Sequence, residues 1–179
     1  YLNYLYATAV MDSLVSNRGV LTTQAKEKKI VVIKDHLLRS IRISNDYPKA
    51  FDFISSVMVF LTKEYKAALP YIDRGLALHK KPDLYYYKGI CLRNLGMPDS
   101  AEHYLKLSIE ADASIYDAYT LLAQDYNAAG QFQKSIELFN AALQKGQENE
   151  FTYMGLAKTY FEMKDTLSVE FYCQKAMEM

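Results

Sequence analysis

Three histidines, two cysteines and scattered carboxylates are among the groups in this chain able to move protons, hold a metal or attack a carbonyl. Their spacing does not assemble them. His36, His79 and His103 each stand alone in a predicted helix, with no HExxH and no Cys/His cluster at zinc-ligand spacing. His36, in Lys34–Asp35–His36–Leu37, reads as the solvated flank of its helix, and His79 and His103 read as surface positions. Cys91 and Cys173 have no CxxC partner and lie more than two structural units apart, beyond the ~7 Å Cα separation a disulfide allows. Two free thiols fit a reducing compartment, which leans toward the cytoplasm without establishing it. No GxxxxGK[ST], GxGxxG or GxSxG occurs, so no phosphate cradle or hydrolase elbow is predicted. Glu148 and Glu150 fall in a predicted turn and read as solubilising charges. The expectation is binding without catalysis, with no cofactor and no metal.

What the chain has in quantity is tyrosine, 16 residues beside 8 Phe and no Trp, and its placement is periodic. Phe51, Tyr85, Tyr119 and Tyr153 recur every 34 residues. Ser55, Gly89, Ala123 and Ala157 follow four places on, and Met58, Leu92, Tyr126 and Tyr160 three further. Self-similarity at such a period means stacked units rather than one globular core. In 116–149 the residues Tyr119, Leu122, Ala123 and Tyr126 form one helical stripe, Gly130 a break, and Ser135, Phe139, Ala142 and Leu143 a second stripe. Each unit is therefore helix, tight turn, helix. The small residues let two antiparallel helices approach, and the aromatics fill the wedge between them.

These residues closely resemble the tetratricopeptide repeat, whose pattern places an aromatic at unit position 4, Leu at 7, small residues at 8, 20 and 27, and larger ones at 11 and 24. The units 82–115, 116–149 and 150–179 carry the pattern. Lys88 at position 7 departs from it, Val169 and Cys173 are off-pattern in size, and no unit has the usual Pro at position 32. The resemblance implies an all-α, right-handed superhelical α-solenoid of stacked antiparallel helix pairs. It also implies a concave groove lined by the first helices at positions 2, 5, 9, 12 and 13. Carried over by register, the peptide-binding candidates are Tyr86, Ile90, Arg93 and Asn94, then Thr120, Gln124 and Asn127, then Met154, Lys158 and Phe161. Tyr86, Ile90, Met154 and Phe161 would grip side chains, while Asn94, Gln124 and Asn127 would pair with an extended backbone. On this reading, truncating Gln124 and Asn127 together weakens binding without much effect on melting. The Lys/Asn/Arg clamp by which some members hold acidic chaperone tails is absent, its places being filled by Tyr86, Ile90, Leu121, Phe151 and Gly155.

The flanking segments are less regular. Residues 48–81 keep the first-helix register through Phe51, Ile54, Ser55 and Met58, but the second helix slips by one, to Ala68, Ile72, Gly75 and Leu76. Pro70 within it predicts a kink or a late start, whereas Pro48, Pro82 and Pro98 sit at helix beginnings. Residues 1–47 predict a degenerate, extended hairpin, with Tyr4, Ala7, Thr8 and Met11 on one stripe and Ile33, Leu37, Ser40 and Ile41 on the other. Asn17 to Gly19 reads as its stop and Thr22 or Thr23 as the next cap. The unit 150–179 reads as truncated, and the start at Tyr1 reads as that of an excised piece.

Residues 1–81 carry 13 Lys+Arg against 7 Asp+Glu and the remainder the reverse bias, which cancels to zero net charge and allows head-to-tail self-association. The basic stretch Lys26 to Arg42 lacks stacking aromatics or a docking motif, so nucleic acid is not expected. The longest apolar run, Val57 to Leu61, is too short to insert in a membrane. The expected function is a protein-interaction module binding a peptide or helix of a partner in its groove. Its rivals are a peptide-sensing regulatory domain of a larger protein and a self-assembling scaffold.

Overall fold

The computed structural model describes residues 1–17, 19–112, 114–146 and 148–179, and of Tyr116 the backbone alone. Among the described residues all regular structure is helical: α1 (Leu2–Ser16), α2 (Thr23–Ile43), α3 (Pro48–Ser56), a π-helical turn (Val57–Leu61), α4 (Tyr65–Leu78), α5 (Pro82–Asn94), α6 (Pro98–Ala111), α7 (Tyr116–Ala128), α8 (Phe132–Gln144), α9 (Glu150–Glu162) and α10 (Thr166–Met177). Two compact units divide the chain, Tyr1–Ala101 and Glu102–Met179, with the boundary inside α6. None of these helices is long and apolar enough to cross a membrane.

The helices begin and end where local chemistry says they must. Pro48, Pro82 and Pro98 open α3, α5 and α6, where a missing N–H costs nothing. Thr22, Asn149 and Asp165 cap α2, α9 and α10, each side chain accepting a backbone N–H three residues on. The bend between paired helices is left-handed: Gly96 and Gly130 have φ of 76° and 72°, and Lys164 takes the same role at 62°. Arg18, inside the expected stop at Asn17 to Gly19, lies outside the described residues; Asn17 itself is the C-cap of α1.

In the first unit α1 packs on α2, with Ala7, Leu14, Ile33 and Leu37 in one buried cluster that continues through Ile54, Ala68, Ile72 and Leu84. Burying each of its leucine and isoleucine side chains stabilises by roughly 1.5–3 kcal/mol. His36 is not a solvated flank: its ring is half-buried, with Nδ1 3.0 Å from Asn3 Oδ1 and Tyr6 against its face, tying α2 to α1.

The one-residue slip in 48–81 has a cause. Five consecutive apolar residues sweep more than a full turn of α-helix, so some would have to face away from the core. The chain widens instead into a π turn, in which the Thr62 N–H donates to Val57 O at 3.1 Å, and Val57, Met58 and Val59 are all buried. The turn adds one residue to the first helix. The left-handed bend therefore falls on Lys63 (φ 55°), 33 rather than 34 residues before Gly96, and α4 starts one residue late. That offset, not Pro70, sets the start of α4. The helix runs through Pro70, which sits on its exposed side, instead of beginning after it.

In the second unit α7 packs on α8, α8 on α9, and α9 on α10. Tyr119 and Ala123 are buried on α7, Ala123 in one cluster with Ile136 and Phe139 of α8, and Phe139 is fully buried beneath α9. Gly155 permits that approach, because a Cβ there would overlap the Phe139 ring. Tyr160 and Tyr172 stack at 5.5 Å with their planes 11° apart, joining α9 to α10.

Candidate functional site

The expected groove residues lie on the first helix of each pair, and each unit presents its own set. In the first unit Tyr86 and Ile90 are half-buried on α5, while Arg93 and Asn94 are exposed at its end. Asn94 turns its amide back on its own helix, Nδ2 donating to Ile90 O at 2.8 Å. In the second unit Thr120 is half-buried and Gln124 exposed on α7, and Met154, Lys158 and Phe161 are exposed on α9. Phe161, at 68% exposure, leans over a cleft of about 550 Å³ bounded by Glu162, Lys164, Thr166, Val169 and Glu170.

Asn127 does something the sequence reading did not anticipate. Its Nδ2 donates to Thr159 Oγ1 at 2.8 Å, and that hydroxyl donates in turn to Gly155 O at 2.9 Å and meets Ser135 Oγ at 3.2 Å. The amide is a strut between α7 and α9. Truncating it must therefore cost stability, contrary to the expectation that melting would be spared.

The unit 48–81 also has expected groove positions that the sequence reading did not assign, and the π turn shifts the last two of them. Before the turn, unit positions 2, 5 and 9 fall on Lys49, Asp52 and Ser56. After it, the added residue moves positions 12 and 13 onto Phe60 and Leu61, which are 48% and 40% exposed. Phe60 meets the Tyr87 ring edge-on at 5.4 Å and the Tyr86 ring at 6.4 Å.

Beside these rings lies a cavity of about 760 Å³, walled by Tyr4, Tyr47, Phe53 and Tyr87 and floored by Asp52, His79 and Lys81. Tyr4 stands edge-on to Tyr47 at 5.2 Å and to Phe53 at 6.0 Å. His79 Nε2 is 2.9 Å from Asp52 Oδ1, and Lys81 Nζ lies 3.4 Å from Asp52 Oδ2 and 3.3 Å from Asp83 Oδ2. So His79 is part of a cavity floor and not simply a surface residue. Burial pulls the Lys81 ammonium down, but the carboxylates of Asp52 and Asp83 outweigh it and leave its pKa raised. Burial, then the negative charge of Asp83 and Asp52, pushes the Tyr87 phenol up to about 12, and Tyr4 is raised by burial and by its neighbour Tyr47. All three groups remain hydrogen-bond donors at neutral pH.

Among the described residues no three His, Cys, Asp or Glu side chains come together as a metal site, and burial pushes the Cys91 thiol up to about 12, away from a reactive thiolate. Glu150 opens α9 instead of sitting in a turn.

No family model matches the chain. It is 25% identical over 153 residues to the TPR repeat-containing protein MJ1428 of Methanocaldococcus jannaschii, which covers 84% of this chain but 26% of that protein, so the chain spans about a quarter of this relative's length. The solved structure of MamA 41-end from Desulfovibrio magneticus RS-1 superposes with a TM-score of 0.76 at 19% identity, covering 98% of this chain and 94% of that one. The crystal structure of YrrB, described as a TPR protein with an unusual peptide-binding site, superposes with a TM-score of 0.67 at 16% identity over 96% of this chain and 92% of that one. By its period, its paired helices and these likenesses, the chain has the fold of the tetratricopeptide-repeat family.

Proposed function

We propose that the chain is a recognition module that takes a peptide segment of a partner protein against the first-helix faces of its units, with no chemistry of its own. The observation that carries this reading is the set of large apolar side chains held out to solvent at groove positions: Phe60 in the first unit, Met154 and Phe161 in the second. A monomeric surface scatters such residues singly; here they sit on rigid helices beside the polar partners Gln124 and Lys158, which suits apolar anchors with hydrogen bonding between them. Preformed helices lose little freedom on binding, so the ordering cost falls on the peptide. The peptide-binding description of YrrB supports the same reading.

The test is selection of binders from a random peptide array, repeated with Phe60→Ser and with the pair Lys158→Ala and Phe161→Ser. Weaker capture by either variant with unchanged circular dichroism supports the reading. Full capture by a protein carrying all three changes would place binding on another face and overturn it.

A second reading is favoured by one observation, the 26% coverage of MJ1428: the repeats would be the peptide-sensing part of a longer polypeptide with an output domain. An intact polypeptide ending near Met179 with no further domain would dismiss it. The opposite charge bias of the chain's two halves also permits head-to-tail association, which light scattering across a salt series would reveal as salt-sensitive oligomers; a monomer at low ionic strength excludes it.

A further inference from the structure

We propose that the cavity of the first unit seats an uncharged, proline-rich stretch of the partner in polyproline II conformation. This rests on the peptide-binding reading above and names the peptide class for one of its faces. The walls have the shape such a guest needs. Tyr4 stands at 85° to Tyr47 and at 78° to Phe53, so neighbouring rings form open corners rather than a flat stack. A rigid, puckered pyrrolidine ring fills such a corner with its C–H groups against aromatic faces, as in other aromatic-lined grooves that take polyproline II.

Donors also outweigh acceptors in the lining. Tyr4, Tyr47 and Tyr87 bring phenol O–H groups, and Lys49 and Lys81 bring ammonium donors. The one carboxylate of the lining, Asp52, already has both oxygens engaged, by His79 and by Lys81. An extended strand offers N–H groups for which this lining leaves few acceptors, its phenol oxygens and Ser56 Oγ, against a larger set of donors. A proline-rich stretch offers the reverse: carbonyls open to solvent, and no N–H wherever proline stands.

Charge argues in the same direction. Lys49 and Lys81 are balanced by Asp52 and by the Asp83 carboxylate that shares Lys81, so the site favours neither an acidic nor a basic peptide. The raised phenols of Tyr87 and Tyr4 keep their protons at neutral pH and go on donating. A volume of about 760 Å³ lies in the range of sites that bury a ligand, with room for several consecutive residues.

The experiment is calorimetric titration of the chain with end-blocked hexaproline, beside end-blocked hexaglutamate, hexalysine and a glycine–serine hexamer. Hexaproline is expected to bind, and Tyr47→Ala to weaken it about tenfold at unchanged melting temperature. Tyr87→Phe keeps the wall and removes one donor, so it should weaken binding a few-fold, and it serves as the second variant if Tyr47→Ala fails to fold. Binding of hexaglutamate or hexalysine in place of hexaproline would overturn the proline assignment and leave the peptide-module reading standing. Hexaproline affinity indifferent to both variants, or no binding of any of the four, would overturn the cavity site; the module reading is judged separately by the array experiment on Phe60, Lys158 and Phe161.

Discussion

Gly155→Ala puts two opposed effects on one residue. Helix propensity alone favours the change by about 1 kcal/mol, since alanine loses less backbone freedom in a helix. Packing opposes it. A Cβ at Gly155 runs into Cζ and Cε1 of Phe139 and comes within 3.0 Å of Cε2, and Phe139 is fully buried beneath α9. The ring must leave its rotamer or α9 must lift from α8, and overpacking of this kind costs typically 1–3 kcal/mol. Because the overlap involves the ring itself and not a flexible chain end, the upper part of that range applies. The net expectation is a loss of about 1–2 kcal/mol after the propensity gain is subtracted.

Urea unfolding of four proteins tests this: wild type, Gly155→Ala, Phe139→Leu and the double variant. Leucine lacks the colliding ring atoms, so the double variant should be more stable than the two single losses imply, with a coupling of at least about 1 kcal/mol. Hydrogen exchange in α9 should locate the loss there. A Gly155→Ala protein with a raised midpoint, or single losses that simply add, would show that propensity wins and that the close approach of α9 to Phe139 is not a constraint.

Other outcomes follow from the same packing and electrostatics. Asn127→Ala should lower stability by about 0.5–1.5 kcal/mol, because the bond to Thr159 is lost while Thr159 keeps Gly155 and Ser135 as partners. Gln124→Ala, an exposed change, should stay within about 0.5 kcal/mol of wild type by the same urea measurement. Equal effects of the two would refute the strut. The raised Tyr87 phenol contributes stability that is fully present below pH 10 and is lost as pH climbs toward 12, since the unfolded chain ionises first. Tyr87→Phe should flatten that alkaline loss by at most about 2 kcal/mol, allowing for solvent screening and for Asp52, Asp83, Lys81 and His79 nearby. Identical pH profiles for the two proteins would show the phenol to be unperturbed.

Periodicity carries farthest where one residue type repeats one job. Tyr119, Ala123, Ser135 and Phe139 could be placed from spacing because the stripe and the close helix approach are both local consequences of a 34-residue unit. The same reasoning stalled at 48–81, where Met58 fits the first-helix register and Ala68 the shifted one. Nothing in a stripe of apolar residues distinguishes a slipped second helix from a lengthened first helix; the run Val57 to Leu61 was the available sign. Reading it as a membrane question and not as a helix too apolar on all sides hid the π turn. Hiding the turn also hid Leu61, and with the unit set aside as weak, Phe60, Lys49 and Asp52 went with it. His79 was beyond local pattern altogether, since its partner Asp52 is 27 residues away and on another helix. Asn127 shows the opposite limit: its register was read from the repeat, but a polar side chain on a groove-facing helix can turn to a neighbouring helix as readily as to a ligand.

The π turn bears on function because it is a cost the fold carries. The bend falls on Lys63 and not on a glycine such as Gly96 or Gly130, at an expense of roughly 1–2 kcal/mol that Lys164 carries as well, so the cost peculiar to the turn lies in its hydrogen bonds. The turn itself replaces well-formed α-helical hydrogen bonds by wider ones. What the insertion produces is local: three core side chains buried in succession, then Phe60, exposed, against Tyr87, itself one wall of the cavity. Removing Leu61 would restore the common period and return Phe60 from position 12 to position 13, about 100° around the helix. If the turn serves only to bury an apolar run, such a deletion accompanied by polar replacement of the surplus side chain should leave peptide capture intact. If the turn exists to set Phe60 beside Tyr87, the regularised protein should be at least as stable and bind more weakly, and that divergence of stability from affinity is the behaviour expected of a strained element kept for recognition.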